Sequence, residues 1–354
     1  MAERKVRVAI AQAAPVFLDL DRSLEKAVRL IEEAARKGAR LVAFGESWLP
    51  GYPAWLDLCP GAAFWDHPPA KRAYARLAEN SAVIPGPVTD RLGAAAREQG
   101  AIVVIGVHER VVSGPGHGTL YNTNLVIGSD GALLTRHRKL VPTHAERLVW
   151  GQGDGSGLEA VATTVGKVGS LICWEHWMPL ARQAMHESAE EIHVANWPTV
   201  RDMYLVASRH YAFEGRCFVL AAGLITAARD LPADLELPLE LKGKPDTLVC
   251  AGGSCIIGPE TRKSSSALKP RVANLSGVTA IPRATKIPTA TTTGRAALPC
   301  SPPIAPTHSE QKESCSAWSC RPANWSGNAT PPGIGKYRRH SSASAVRRFW
   351  KVIC

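Results

Sequence analysis

The chain has 354 residues, 45% of them apolar and 21% charged, the composition of a globular protein. No apolar run approaches the roughly 18 to 20 residues of a membrane span, which excludes a membrane anchor. The formal charge of +11 is confined to one end: residues 1–260 hold 27 Lys and Arg against 29 Asp and Glu, and residues 261–354 hold 15 against 2, so the slightly acidic body argues against a nucleic-acid partner.

A β-branched, apolar run over residues 6–14 reads as a buried strand, and Leu24, Ala27, Val28, Ile31 and Ala35 after it repeat at helical spacing. Residues 41–44 read as a second strand. Thr89 is placed to cap a helix running to about Gln99, and residues 101–107 follow as a fully buried strand. Between Leu125 and Thr135, Ser129-Asp-Gly separates two apolar runs, a hairpin signal. Residues 167–173, 192–196, 217–223 and 248–258 supply further strands, with helical segments between the earlier ones. Short buried strands and helices without an internal repeat indicate one α/β domain of layered sheets covered by helices.

Cys59, Cys173, Cys217, Cys250 and Cys255 show no CxxC pair and no zinc-like spacing. The N-terminus has no apolar core followed by a cleavage site, so a reducing, cytoplasmic compartment is expected.

Three segments set reactive groups at strand ends. Glu46 follows the second strand at the start of a turn-rich loop. A carboxylate desolvated there would have a raised pKa suited to a general base, although a lone loop glutamate is more often solvated. Arg136-His-Arg-Lys139 ends another strand and is followed by Glu146-Arg147. A lysine beside a reacting centre stabilises developing negative charge, whereas a basic run alone is ordinarily a solvated face. Cys173 closes an apolar strand before Trp-Glu-His-Trp-Met-Pro179, the placement of a nucleophile on an elbow, although an isolated cysteine is more often an inert core filler. A thiol nucleophile needs a base for its proton and a cation for the anionic intermediate; Glu46, Lys139 and Cys173 together supply those roles.

In this order, Phe44-Gly-Glu46-Ser47, Arg138-Lys139-Leu-Val-Pro-Thr143 and Cys173-Trp-Glu-His-Trp-Met-Pro-Leu180 resemble the carbon–nitrogen hydrolase (nitrilase) superfamily, over residues 6–260. Lys139-Leu-x-Pro-Thr-x-x-Glu146-Arg147, Trp150-Gly-x-Gly-Asp-Gly-Ser156 and Cys-Trp-Glu resemble its nitrilase branch more than its amidases. The resemblance implies a four-layer αββα sandwich, paired across a dimer interface and often assembled into spirals. It implies Glu46 as general base, Lys139 as the cation that stabilises the intermediate, Cys173 as nucleophile, and Glu146 as a second acid positioning Lys139 or substrate. Trp174 would contribute through its backbone after the nucleophile, and Asn196 and Trp197 would wall the substrate pocket. The partners implied are a small-molecule nitrile and further copies of the chain; no metal or organic cofactor is implied. Cys173 would add to the nitrile carbon to give a thioimidate, and water activated by Glu46 would carry it through an acyl-thioester to the acid and ammonia. An amidase of the same superfamily shares the later steps and stays open, as does an assembly or binding protein disabled by an altered C-terminus.

Other signals weigh less. Residues 151–157 are glycine-rich but lack the strand, helix and lysine of a phosphate loop, so a flexible loop is expected. The histidines show no HExxH-like spacing; His176, beside the nucleophile, keeps a Cys-His hydrolase as an alternative. Trp48, Tyr52, Trp55 and Phe64 are expected as a pocket rim or core cluster.

After Glu260 the pattern breaks. Ser, Thr and Pro rise, no helical or strand period survives, and disorder is expected because such a composition cannot bury enough apolar area to offset the entropy of ordering. A nitrilase would instead continue with another strand and a segment reaching across the dimer. Loss of acidic residues with gain of Arg, Ser, Pro, Thr and Cys is what a shifted reading frame of a GC-rich gene produces. Residues 261–354 are therefore read as a frameshift product appended to a domain, residues 1–260, that lacks its usual end. A basic arm for nucleic acid or an anionic surface is the competing reading.

Overall fold

The computed structural model describes residues 5–259 and the backbone of residues 279–282. Its first sheet holds parallel β1 (Lys5–Ile10), β2 (Leu41–Ala43) and β3 (Ile102–Arg110), then antiparallel β4 (Leu120–Ile127) and β5 (Leu133–Arg138). The second sheet holds β6 (Val161–Thr163) antiparallel to β7 (Gly166–Ile172), followed by parallel β8 (Ile192–Trp197) and β9 (Phe218–Gly223). β10 (Ile225–Ala227) and β11 (Leu248–Ala251) form a separate ribbon, and β12 (Cys255–Ile257) edges the second sheet beside β9.

Successive strand residues point to opposite faces, and here both faces of each sheet are buried. Val8, Ile10, Leu41, Ala43, Ile102 and Val104 of the first sheet pack against Val168, Ile192, Val194, Leu220 and Ala222 of the second. On its other face the first sheet, through Ala9, Val42, Val103 and Ile105, meets α1 (Leu20–Arg36), the short α2 (Trp55–Leu58), α3 (Pro68–Glu79) and α4 (Pro87–Gln99). Leu171, Ala195, Val219 and Ala221 of the second sheet meet α5 (Pro179–Glu187) and α6 (Asp202–Gly215). The layers are helix, sheet, sheet and helix, the αββα sandwich. Each large aliphatic side chain buried in it contributes roughly 1.5–3 kcal/mol. In α1, Leu24, Ala27, Val28, Ile31 and Ala34 form the buried stripe, and the Asp19 side chain caps the helix by accepting from Arg22 N at 3.0 Å.

Several boundaries differ from expectation. β1 ends at Ile10, because Gln12 turns away to accept from Ser254 N at 2.8 Å through its side chain. Thr89 lies in the first turn of α4 rather than at its cap; its hydroxyl exchanges hydrogen bonds with Gly86, the cap residue. Residues 248–258 form two strands, since Gly252 and Gly253 take φ of +72° and +78°. Within the stretch where no strand is expected, β13 (Thr279–Pro282) pairs antiparallel with β1. It is four residues long and ends in proline, too short for a period to register. The other expectations for residues 260–278 and 283–354, including disorder, lie outside the described residues.

Candidate active site

β5 lies two antiparallel steps from β3 and so runs parallel to it. Glu46 follows β2, Lys139 follows β5 and Cys173 follows β7, each at a carboxyl end, where α/β sheets commonly bind ligands. The chain approaches closely there: a Cβ on Gly106 of β3 would lie 2.3 Å from Ser47 N, so only glycine admits the Glu46 loop. Ser47, His144 and Cys173 take left-handed φ of +49°, +47° and +50°. Such conformations cost on the order of 1–3 kcal/mol each and cluster at functional sites.

Lys139 Nζ donates to Glu46 Oε1 at 2.9 Å and to Glu146 Oε2 at 2.6 Å. Asn122 Nδ2 donates to the same Glu46 oxygen at 2.7 Å, and Ser47 Oγ donates to Asn122 Oδ1 at 3.1 Å, which sets the amide's orientation. Glu146 also accepts from Tyr52 OH at 2.8 Å and from Thr143 N at 2.6 Å. Every side chain of this network except that of Thr143 is buried. Among the described residues Glu46 Oε2 has no hydrogen-bond partner, so it is the oxygen free to take a proton.

Burial is the largest influence on Glu46 and pushes its carboxyl up to about 7, against the pull of Lys139. Burial alone would lower Lys139, but the charges of Glu46, Cys173 and Glu146 outweigh it and hold the ammonium well above its usual range. Burial and then the charge of Glu46 push the Cys173 thiol well up, while Lys139 and the Trp174 backbone amide favour the thiolate. At neutral pH the site therefore holds an ammonium, a thiol that needs a base, and a carboxylate poised to be that base.

Trp174 is half exposed and packs on Trp177 with centroids 5.0 Å apart. Asn196, expected to wall the pocket, is fully buried. Strand alternation turns it between the sheets with Ile192 and Val194, where Nδ2 donates to Phe44 O at 2.8 Å and Oδ1 accepts from Asn124 at 2.9 Å. Its polar atoms are spent joining the two sheets. Trp197 faces the helix layer, stacked on Tyr204 with its Nε1 donating to Ser208, and reaches the site through its carbonyl, which accepts from Glu46 N at 3.2 Å. Trp48, Tyr52 and Trp55 are buried core, whereas Phe64 is exposed. The glycine-rich loop is tied to the site: Gly153 N donates to Lys139 O at 2.8 Å, and a Cβ on Gly153 would lie 2.2 Å from Arg138 O. His176 points its Nδ1 at the Cys173 carbonyl, 2.8 Å away, and its Nε2 at His193. Both ring nitrogens are engaged away from the thiol, which removes the support for a Cys-His pair.

Four residues take roles that the sequence reading does not assign. Tyr52 and Asn122 hold the acids, and the Asn122-Thr-Asn124 run inside a buried strand was the available signal, since buried polar groups need partners. Glu175 accepts from Ile172 N and from Leu140 N, each at 2.7 Å, and its oxygens lie 2.9 and 3.0 Å from His137 Nε2. One buried carboxylate thus joins the Lys139 turn of the first sheet to the Cys173 elbow of the second. Burial would raise Glu175, but His137 and these amides hold it below the ordinary glutamate value. His108, held neutral by burial at about 4, links Gly51 O to Trp150 Nε1 behind Tyr52.

Among the described residues no group of three or more His, Cys, Asp or Glu is arranged to hold a metal ion, and no helix is long and apolar enough to cross a membrane.

Residues 7–268 match the model of the carbon–nitrogen hydrolase family. A bifunctional nitrilase/nitrile hydratase of Lupinus angustifolius is 40% identical over 258 residues, covering 72% of each chain. An aliphatic nitrilase of Sinorhizobium fredii is 40% identical over 260 residues, covering 72% of this chain and 80% of that one. The fold is similar to that of a carbon–nitrogen hydrolase from Helicobacter pylori, with a TM-score of 0.52 at 19% identity over 72% of this chain and 83% of that one. It is also similar to that of an amidase from Nesterenkonia, with a TM-score of 0.51 at 16% identity over 73% and 86%. By the family match and these relatives, the chain belongs to the carbon–nitrogen hydrolase family, in its nitrilase branch.

Proposed function

We propose that the protein is a nitrilase, hydrolysing an organic nitrile to the carboxylic acid and ammonia through covalent intermediates on Cys173. The observation that carries this reading is the buried Glu46, Lys139 and Glu146 cluster acting on the Cys173 thiol, with one Glu46 oxygen unengaged. The relatives named as nitrilases at 40% identity support a nitrile as substrate.

Cys173 Sγ adds to the nitrile carbon while Glu46 takes the thiol proton and delivers it to nitrogen, forming a thioimidate. Lys139 stabilises the charge that develops on nitrogen or oxygen, and Glu146, held by Tyr52, keeps the ammonium in place. Water, deprotonated by Glu46, adds to the thioimidate. Ammonia leaves to give the acyl-thioester, and a second water releases the acid and restores the thiol. Trp174 contributes its backbone amide beside the sulfur. The same reading takes the enzyme to be cytoplasmic and self-associated as a dimer or spiral. It treats residues 261–354 as an appendage from a shifted reading frame, and a source gene without a nearby indel that restores nitrilase-like sequence would remove that part.

Ammonia, acid and amide release from a panel of aliphatic, aromatic and arylacetonitriles, with Cys173→Ala as control, tests the function. Acid and ammonia from at least one nitrile, lost in the variant, is expected. Turnover of amides alone would make the protein an amidase, and activity that persists in the variant would overturn Cys173 as nucleophile.

A further inference from the structure

A buried polar chain that the reaction steps leave unused runs beneath the nucleophile elbow. His176 Nδ1 lies 2.8 Å from the Cys173 carbonyl oxygen, and its Nε2 lies 3.0 Å from His193 Nε2. His193 Nδ1 lies 2.8 Å from Glu190 Oε2, and Tyr211 OH donates to Glu190 Oε1. His176, His193 and Glu190 are all buried. The rings of Trp197 and Tyr211 cover them, with centroids 4.6 Å from His176 and 3.9 Å from His193.

Donor and acceptor bookkeeping gives the chain a direction. Burial would raise Glu190, but His193 and its hydrogen bonds hold it down at about 2, so this carboxylate only accepts. Burial, then the charge of His193, hold His176 well below the histidine range, so its ring carries one proton. A carbonyl only accepts, so that proton sits on Nδ1 and His176 Nε2 is an acceptor. His193 Nδ1 donates to Glu190, and the proton between the two Nε2 atoms joins the rings.

We propose that Glu190 and His193 act through His176 as positioning residues for the nucleophile, pinning the Cys173 peptide in its left-handed turn. The proposal rests on the reading of Cys173 as nucleophile. The elbow is held from two sides: Ile172 N is taken up by Glu175, and the Cys173 carbonyl by His176. Without the second hold, a buried carbonyl loses its donor and the strained φ of +50° can relax, moving the sulfur away from Glu46. Glu190 and Tyr211 lie at the far end, so the chain also ties the elbow to α6.

The test compares His176→Leu, His176→Asn and Glu190→Gln with the parent protein. The readouts are the rate of Cys173 alkylation by iodoacetamide, located by peptide mass mapping, nitrile turnover, and melting temperature. His176→Leu is expected to slow both alkylation and kcat on the order of tenfold or more, with KM moved less than about twofold. His176→Asn, whose amide nitrogen can stand in for Nδ1, is expected to restore most of both rates. Glu190→Gln leaves a donor facing either His193 or Tyr211 and is expected to fall between. A folded His176→Leu protein with parental rates, or an Asn variant no better than Leu, overturns the proposal. If the Leu variant does not fold, parental rates in Glu190→Gln overturn it. A Cys173 that does not alkylate in the parent also overturns it. The expected alkylation order without any nitrile turnover leaves the positioning role standing and removes the nitrilase reading instead.

Discussion

Lys139 and Glu46 meet at 2.9 Å with neither side chain more than 1% exposed, and Glu146 closes on the same ammonium at 2.6 Å. Two carboxylates and one ammonium buried together are little compensated by bulk solvent, so each charge depends on the others. Burial lifts Glu46 toward neutrality, whereas Lys139 stays protonated against its own burial, because losing its proton would leave two buried carboxylates facing each other.

Replacing Lys139 by Met leaves Glu46 and Glu146 without their cation. Nitrile turnover is expected to drop by about 10²–10³ or more, the loss typical of a charge-stabilising donor. Denaturant melts are expected to show a stability loss of about 3–5 kcal/mol, as for one partner removed from a buried ion pair. A stable variant retaining turnover would contradict the assignment of Lys139.

The base at Glu46 acts only when ionised, and its carboxyl is raised to about 7. kcat/KM is therefore expected to rise with pH through about 7 and level off above it. A profile flat from about pH 5 to 8 would mean that another group takes the thiol proton.

Glu175 holds the Lys139 turn and the Cys173 elbow with one carboxylate. Glu175→Gln turns a donor toward one of these amides or toward His137. It is expected to cost roughly 2–3 kcal/mol in urea melts and to lower kcat more than it raises KM. Unchanged stability would show that the clasp is dispensable.

Glu46 and Cys173 stand out in the sequence because each is a reactive group at the end of an apolar run, and Lys139 because it ends a strand in a basic cluster followed by a second acid. The sandwich is legible for a similar reason: strands such as Ile102–Arg110 are buried on both faces and need a layer on each side. The supporting residues are not, because their partners are remote in the chain. Asn122 and Glu46 are 76 residues apart, and Tyr52 and Glu146 are 94 apart. For Asn196 the strand is visible in the sequence but not which face it shows to the other sheet. α3 escapes notice because only Ala73 and Leu77 are buried on it, too sparse a stripe for a period.

The most direct measurement is the mass of the acid-quenched protein during turnover of a nitrile that yields acid and ammonia. Nitrilase chemistry on Cys173 predicts an adduct of the nitrile or its acyl group on the peptide carrying Cys173, absent from Cys173→Ala and accumulating when water attack is slowed by Glu46→Asp. Ammonia release with an adduct on another cysteine, or undiminished release from Cys173→Ala, would contradict it.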